Sequence, residues 1–236
     1  MISMISAALA AGLALSAAAA KPDRYLEYID STKLASGQWI DTGVYATTKT
    51  AVEIDFQLLE LWAQSTPFGV GGGSFYFDLY LNGSNPMQWA YWYCHGGWSK
   101  GKYTTVAGDA TSRIVVKVDG ANKLFSLTNL TTGAFVSNTM YGDGVGVEAG
   151  DKTDVTLPLF GRKTTSDACA STAKMRCWGC RIWEDGALVR DFRPALVNKV
   201  AGMWEEKEGR FYAGENKSYP FLAGPKIPQG LVILLK

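Results

Sequence analysis

This sequence contains very little histidine and few long apolar segments. It contains one histidine, His95, and it has no P-loop, dinucleotide-binding fingerprint or HExxH motif. These absences argue against nucleotide-dependent and zinc-protease chemistry, and we predict no cofactor. Lysine and arginine number 23 against 22 aspartates and glutamates, with no basic block, so we also predict no binding to nucleic acid.

The first twenty residues form the longest apolar stretch. Residues 1–20 carry no charged side chain, end in a run of small residues and precede the polar segment 21–24. This pattern predicts a signal peptide over 1–20, although an N-terminal helix buried in the fold is the alternative. The mature chain, 21–236, is then secreted or bound to the cell surface, or periplasmic. A later apolar run, 231–235, is too short to cross a bilayer, so we predict a mature monomer without a membrane span.

The four cysteines predict disulfide bonds in an exported chain. An even number of cysteines outside the cytosol favours one or two bridges. The preferred pairing joins Cys169 to Cys177 or Cys180, and Cys94 is the fourth candidate. Residues 177–180 read CxxC, but no βαβ pattern surrounds them, which argues against a thioredoxin-type redox motif. A zinc site with His95 fits less well too, because no second CxxC accompanies this one.

Short alternating segments separated by turns indicate an all-β fold. Residues 50–58 (TAVEIDFQL) alternate apolar and polar side chains, which places one set in a core and the other on the opposite face. Turn residues such as those at 184–186 separate further segments of this kind. After residue 20 no segment sustains helical periodicity. We predict one antiparallel two-sheet sandwich domain over 21–236.

Several segments together resemble the concanavalin A-like, laminin-G-like jelly-roll domains of bacterial exported proteins. They are residues 25–29 (YLEYI), 38–44 (QWIDTGV), 50–56, 181–195 (RIWEDGALVRDFRPA) and 221–225 (FLAGP). The resemblance covers nearly all of the mature chain in order, and it implies a jelly-roll sandwich. It says less about activity, because this fold carries lectins, adhesion modules and glycosidases.

The strand 50–58 also bears on catalysis. Laminarinase-type enzymes of the family that the chain resembles use an E-x-D-x-E strand, whose carboxylates share one face and act together on a glycosidic bond. Here Glu53 and Asp55 are present, but Gln57 occupies the third position, and an amide cannot act as the acid. We therefore predict that the chain is not an enzyme. A metal site like that of legume lectins and a plain solvent-facing polar stripe are the other interpretations of these residues.

An aromatic segment, 89–103, suggests saccharide binding. Sugars pack their C–H faces on tryptophan and tyrosine rings. Trp98 and Tyr103, beside two glycines, and Trp92 in the preceding strand are the candidates, although core packing explains part of the segment. We predict a non-catalytic glycan-binding or adhesive domain. A glycoside hydrolase and a structural surface module are the alternatives, and acidic residues at 151–154 or 143–144 leave a calcium site open.

Overall fold

The computed structural model describes residues 21–83, 88–95, 102–103, 111–140, 147–164 and 168–228. Regular structure in these ranges consists of β-strands, and no helix long and apolar enough to cross a membrane occurs in them. The strands are β1 Arg24–Tyr25, β2 Ile29–Asp30, β3 Ile40–Asp41, β4 Thr50–Leu58, β5 Phe68–Val70, β6 Phe75–Asn82, β7 Gln88–His95, β8 Lys102–Tyr103, β9 Ile114–Asp119, β10 Leu124–Asn129, β11 Phe135–Thr139, β12 Pro158–Leu159, β13 Arg162–Lys163, β14 Cys169–Ala170, β15 Met175–Glu184, β16 Ala187–Val197, β17 Val200–Glu205, β18 Arg210–Tyr212 and β19 Leu222–Ala223.

The strands form two sheets that pack face to face. The larger sheet has the order β11-β10-β9-β4-β15-β16-β17-β18, with β1, β2 and β19 joined at its side. The smaller sheet has the order β14-β13-β5-β6-β7-β8, with β3 and β12 joined to it, and β13 pairs with β5 in parallel. The predicted all-β sandwich of jelly-roll type is confirmed.

Strand β4 shows how the sequence builds the core. Val52, Ile54 and Phe56 are fully buried between the sheets, as the alternation predicts. Phe56 meets Trp89 of the other sheet edge to face, with ring centroids 5.2 Å apart. The intervening side chains of β4 lie on the outer face of the larger sheet. Period-two patterning therefore sets both the core and the outward surface.

The hairpin between β15 and β16 follows its turn chemistry. Glu184 pairs with Ala187, so the loop has two residues, Asp185 and Gly186. Both have positive φ, 49° and 78°, as a tight hairpin turn of this length requires. This confirms the predicted turn.

The cysteines do not form the predicted bridges, and all four are free thiols. Cys94 and Cys169 belong to the smaller sheet, whereas Cys177 and Cys180 face the core from β15 in the larger one. The preferred pairing of Cys169 with Cys177 or Cys180 would therefore have to join the two sheets, and the structure shows no such bond. A count of cysteines cannot reveal this separation.

Glu205, fully buried at the end of β17, ties β16 to the turn that follows β17. Its carboxylate accepts hydrogen bonds from the backbone N–H groups of Asp191, Lys207 and Glu208, at 2.8, 3.0 and 2.7 Å. Buried amides that lose such a partner carry a desolvation penalty. Glu205 therefore acts as a buried cap for three backbone N–H groups.

We expect Glu205→Ala to lower the free energy of unfolding by about 3 kcal/mol, because three amide groups lose their acceptor. Urea denaturation followed by tryptophan fluorescence measures this change. Glu215→Ala, at an exposed position, serves as the control and should change stability little. Equal stability of the two variants would contradict the capping role of Glu205.

Candidate functional site

The predicted strand residues Glu53, Asp55 and Gln57 lie on the outer face of the larger sheet, and each has a partner. Arg113 donates two hydrogen bonds to Asp55, at 2.9 and 2.7 Å, and Arg181 donates one to Glu53. The Gln57 amide donates to the carbonyl of Thr111 at 2.7 Å. These contacts fit the polar-stripe interpretation, since each carboxylate is already paired with an arginine.

Two aromatic rings on the same face are covered by arginines. The Arg113 guanidinium lies 4.0 Å from the centre of the Trp178 ring, and Arg176 lies 3.7 Å from that of Tyr28. Such stacking uses the ring face that a sugar would need. This part of the sheet is therefore a packed polar layer.

An open cleft lies further along the same face, beside Trp183. Strand register places Asp119, Ala51 and Trp183 side by side in one row across β9, β4 and β15. Ala51 has the smallest side chain of the three, and a gap of about 180 Å³ borders this row. The hairpin turns at 120–123 and 185–186 flank this gap. We call it the Trp183 cleft.

Polar groups surround the half-buried indole of Trp183. The cleft is lined by Lys49, Ala51, Lys117, Asp119, Ala121, Asn122, Trp183 and Gly186. Asp119 accepts hydrogen bonds from both the backbone and the side-chain N–H groups of Asn122, and Lys117 lies 3.0 Å from it. Burial opposes ionisation of Asp119, but these donors outweigh it and hold the pKa of the carboxyl below its usual range. Lys117 and Arg181 lie 5.3 and 5.5 Å from the centre of the Trp183 ring, further away than the arginines stacked on Trp178 and Tyr28. The ring therefore borders the cleft together with these donors and acceptors.

Sequence reasoning missed this cleft, although a signal for Trp183 exists. Arg181 and Trp183 alternate with the apolar Ile182 directly before a hairpin turn, so both point outward at the end of a strand. The row with Ala51 and Asp119 depends on pairing across three strands, which periodicity does not show.

The outer face of the smaller sheet holds a buried acid. Arg162, Gly69, Asp78 and Trp92 form one row across β13, β5, β6 and β7. A Cβ at Gly69 would lie 2.0 Å from that of Asp78, so only glycine lets the strands approach this closely. Arg162 and Asp78 form a long ion pair of 3.6 Å, with both side chains buried.

Burial also changes the chemistry of Asp78. It raises the pKa of this carboxyl from an ordinary value of 3.8 to about 7, and the charge of Arg162 opposes the shift in part. Contacts from the Arg162 side chain and the Trp92 backbone also oppose the shift, although among the described residues neither carboxylate oxygen accepts a hydrogen bond of ordinary geometry. Asp78 can therefore hold a proton near neutral pH.

The predicted platform residue Trp92 lies beside Asp78 and is 3 % exposed. Tyr76 and Tyr80 meet its ring edge to face at 5.3 and 5.4 Å. Trp92 is thus covered in this structure and presents no open ring face. Trp98 lies outside the described residues, as does the side chain of Tyr103, whose backbone forms part of β8.

The residues considered for calcium have other partners. Asp151 contacts the His95 ring at 3.2 Å, and Asp154 accepts hydrogen bonds from the backbone and hydroxyl of Ser74. Residues 143–144 lie outside the described ranges. Over the ranges that the structure covers, no group of three or more histidine, cysteine, aspartate or glutamate side chains is arranged to hold a metal ion.

Comparisons with known proteins add a likeness of fold. No family model and no curated protein matches the chain. The similar solved structures include a scytalido-glutamic peptidase with a transition state analog inhibitor, at 12 % identity and a TM-score of 0.41, covering 72 % of this chain and 91 % of that one. They also include the enzymatically active domain of bacteriophage CBA120 tailspike protein 2, at 11 % identity and a TM-score of 0.37. This match covers 64 % of this chain and 25 % of that one.

The prediction that this chain is not an enzyme is contradicted by this comparison, because the structures found are a peptidase and a domain described as enzymatically active. We withdraw that prediction. Gln57 removes one catalytic arrangement of carboxylates and has no bearing on others. At these identities and TM-scores the likeness indicates neither a substrate nor a reaction.

We expect Asp78 to make stability depend on pH. Between about pH 4 and pH 7 the unfolded chain releases the proton that native Asp78 keeps, so its contribution to the free energy of unfolding falls as pH rises. The stability of the wild type relative to Asp78→Asn should therefore decrease from pH 4.5 to pH 7.5. Urea denaturation of both proteins at several pH values measures the difference between their free energies of unfolding. A difference that stays constant with pH would contradict a raised pKa of Asp78.

Proposed function

We propose that this chain recognises a saccharide and holds it in the Trp183 cleft. The observation that carries the proposal is the half-buried indole in an open cleft flanked by Lys117, Asp119 and Asn122. A sugar can pack its C–H face on such a ring while its hydroxyl groups bond to the side chains around it. The resemblance of the sequence to lectin-like jelly rolls agrees with this ligand class.

The test of this proposal is the loss of binding in Trp183→Ala. A glycan array identifies ligands of the wild type, and titration calorimetry on the best one measures affinity. We expect Trp183→Ala to weaken binding at least about tenfold, because the ring contact is lost.

Trp178→Ala is the matched control, since Trp178 lies on the same strand but is covered by Arg113. It should bind like the wild type once circular dichroism shows that both variants are folded. A blank array, or equal binding by Trp183→Ala, would remove the proposal.

Hydrolysis of a glycosidic bond is a second candidate function, and Asp78 favours it. A glycoside hydrolase needs a carboxyl group that stays protonated near neutral pH and donates its proton to the leaving oxygen. It also needs a second carboxylate that attacks the sugar or activates water, and this group would have to come from a residue other than Asp78. Asp78 has such a pKa and lies among the rings of Tyr76, Tyr80 and Trp92. Because it is fully buried, a substrate reaches it only after the side chains over this face rearrange.

The release of reducing ends from a panel of polysaccharides tests this second function. We expect hydrolysis to fall above about pH 7, as Asp78 loses its proton, and to be lost in Asp78→Asn. Asp185→Asn, at an exposed turn, is the control and should retain activity. If Asp78→Asn still hydrolyses the substrate, the residue that protonates the leaving oxygen is not Asp78.

We also infer that the mature chain is an exported monomer that begins after residue 20, supported by the uncharged apolar stretch over 1–20. N-terminal sequencing of the protein from the culture medium or cell surface, with light scattering for its mass, tests this inference.

A further inference from the structure

The charged side chains around the Trp183 cleft form pairs of opposite sign. The pairs are Lys49 with Asp185 at 2.8 Å, Lys117 with Asp119 at 3.0 Å, and Arg181 with Glu53. Their charges cancel, so these pairs show a ligand donors and acceptors without a net charge of either sign.

A further acid, Glu184, lies on the other side of β15 from the Trp183 ring. It is the strand neighbour of Thr50, which is fully buried, and it accepts hydrogen bonds from the hydroxyl groups of Thr50 and Thr47. Because side chains alternate along a strand, its carboxylate points away from the cleft. Its negative charge gives no attraction for an anionic ligand.

A charged ligand would have to separate these pairs. An anionic group that takes Lys117 from Asp119 lies beside a carboxylate that is 5 % exposed and therefore poorly screened. A cationic group that takes Asp185 leaves Lys49 beside it in the same way. A hydroxyl group can accept from a lysine and donate to a carboxylate while both stay paired.

The size of the cleft limits how much of a ligand enters it. Its volume is about 180 Å³. A cavity of about 150 Å³ holds a benzene ring, whereas sites for drug-sized ligands start at about 300 Å³. Along the strands, the hairpin turns lie at one side of the cleft and the row of Lys117, Glu53 and Arg181 at the other. The cleft therefore has room for about one six-membered ring.

We propose that the Trp183 cleft binds one neutral sugar ring at the end of a saccharide chain, in preference to acidic and amino sugars. This inference rests on the proposed function and adds the class of ligand to it. The paired charges account for the neutral ligand, and the small volume accounts for the single ring.

The experiment compares saccharides that differ only in their terminal sugar. An array carries chains that end in glucose, glucuronate or glucosamine, and a second set that ends in galactose, galacturonate or galactosamine. Calorimetry then compares the methyl glycoside of the best neutral sugar with that of its uronate. We expect the neutral glycoside to bind at least about fivefold more tightly, and its affinity to change little with sodium chloride.

Chain length tests the single ring. A trisaccharide that ends in the preferred sugar should bind within about threefold of its methyl glycoside, because the added rings lie outside the cleft. A trisaccharide that binds more than about tenfold more tightly would show that several rings are bound, and the single-ring part of the inference would be wrong.

Asp185→Asn tests the role of the paired charges. It leaves Lys49 without its carboxylate partner, and asparagine suits the positive φ of this turn. We expect affinity for the uronate to rise at least about threefold and affinity for the neutral glycoside to stay unchanged. Glu60→Gln, which removes the partner of Lys174 away from the cleft, should change neither. If Asp185→Asn is folded and keeps the full preference for the neutral sugar, the charge argument is overturned.

The remaining outcomes separate this inference from the function beneath it. If acidic or amino sugars bind as tightly as neutral ones and need Trp183, the selection of neutral sugars is wrong and saccharide recognition stands. If neutral sugars bind equally to Trp183→Ala, the cleft is not their site. If no glycan of any class binds, both proposals fail.

Discussion

The pleat of β4 is the constraint on which the rest of the structure depends. Its position in the larger sheet, between β9 and β15, means that one set of its side chains must fill the space between the sheets. Val52, Ile54 and Phe56 do so, and the contact of Phe56 with Trp89 holds the two layers face to face. The remaining side chains of β4 then have to lie on the outer face, enclosed on both sides by those of neighbouring strands.

That enclosure decides what the outer face can do. A charged side chain in the middle of a sheet needs a lateral partner, and the register supplies one: Glu53 lies between Lys117 of β9 and Arg181 of β15. Where the pleat presents Ala51 instead, the row has a smaller side chain and borders the cleft. The polar stripe and the Trp183 cleft are thus two results of one strand, distinguished by side-chain size.

Alternation and turn residues were enough to predict the sandwich, the inward face of β4 and the β15–β16 hairpin, because each of these depends on neighbours in the sequence. The sites depend on neighbours in space. Asp78 stands out in the sequence as an acid within an apolar strand, but its partner Arg162 follows 84 positions later, across Gly69. The disulfide prediction failed for the same reason, since the number of cysteines carries no information about the distances between them.

The two candidate sites differ in ways that follow from their opposite positions. The Trp183 cleft lies on the outside of the larger sheet, open to solvent, with its carboxyl group ionised. Asp78 lies on the outside of the smaller sheet, screened from solvent, with a raised pKa. Both layers of the sandwich, about 10 Å apart, stand between them, so a sugar stacked on Trp183 cannot present a bond to Asp78. The recognition that we propose at the cleft and the hydrolysis that we propose at Asp78 would therefore be separate events, and substitutions at the two sites should have independent effects.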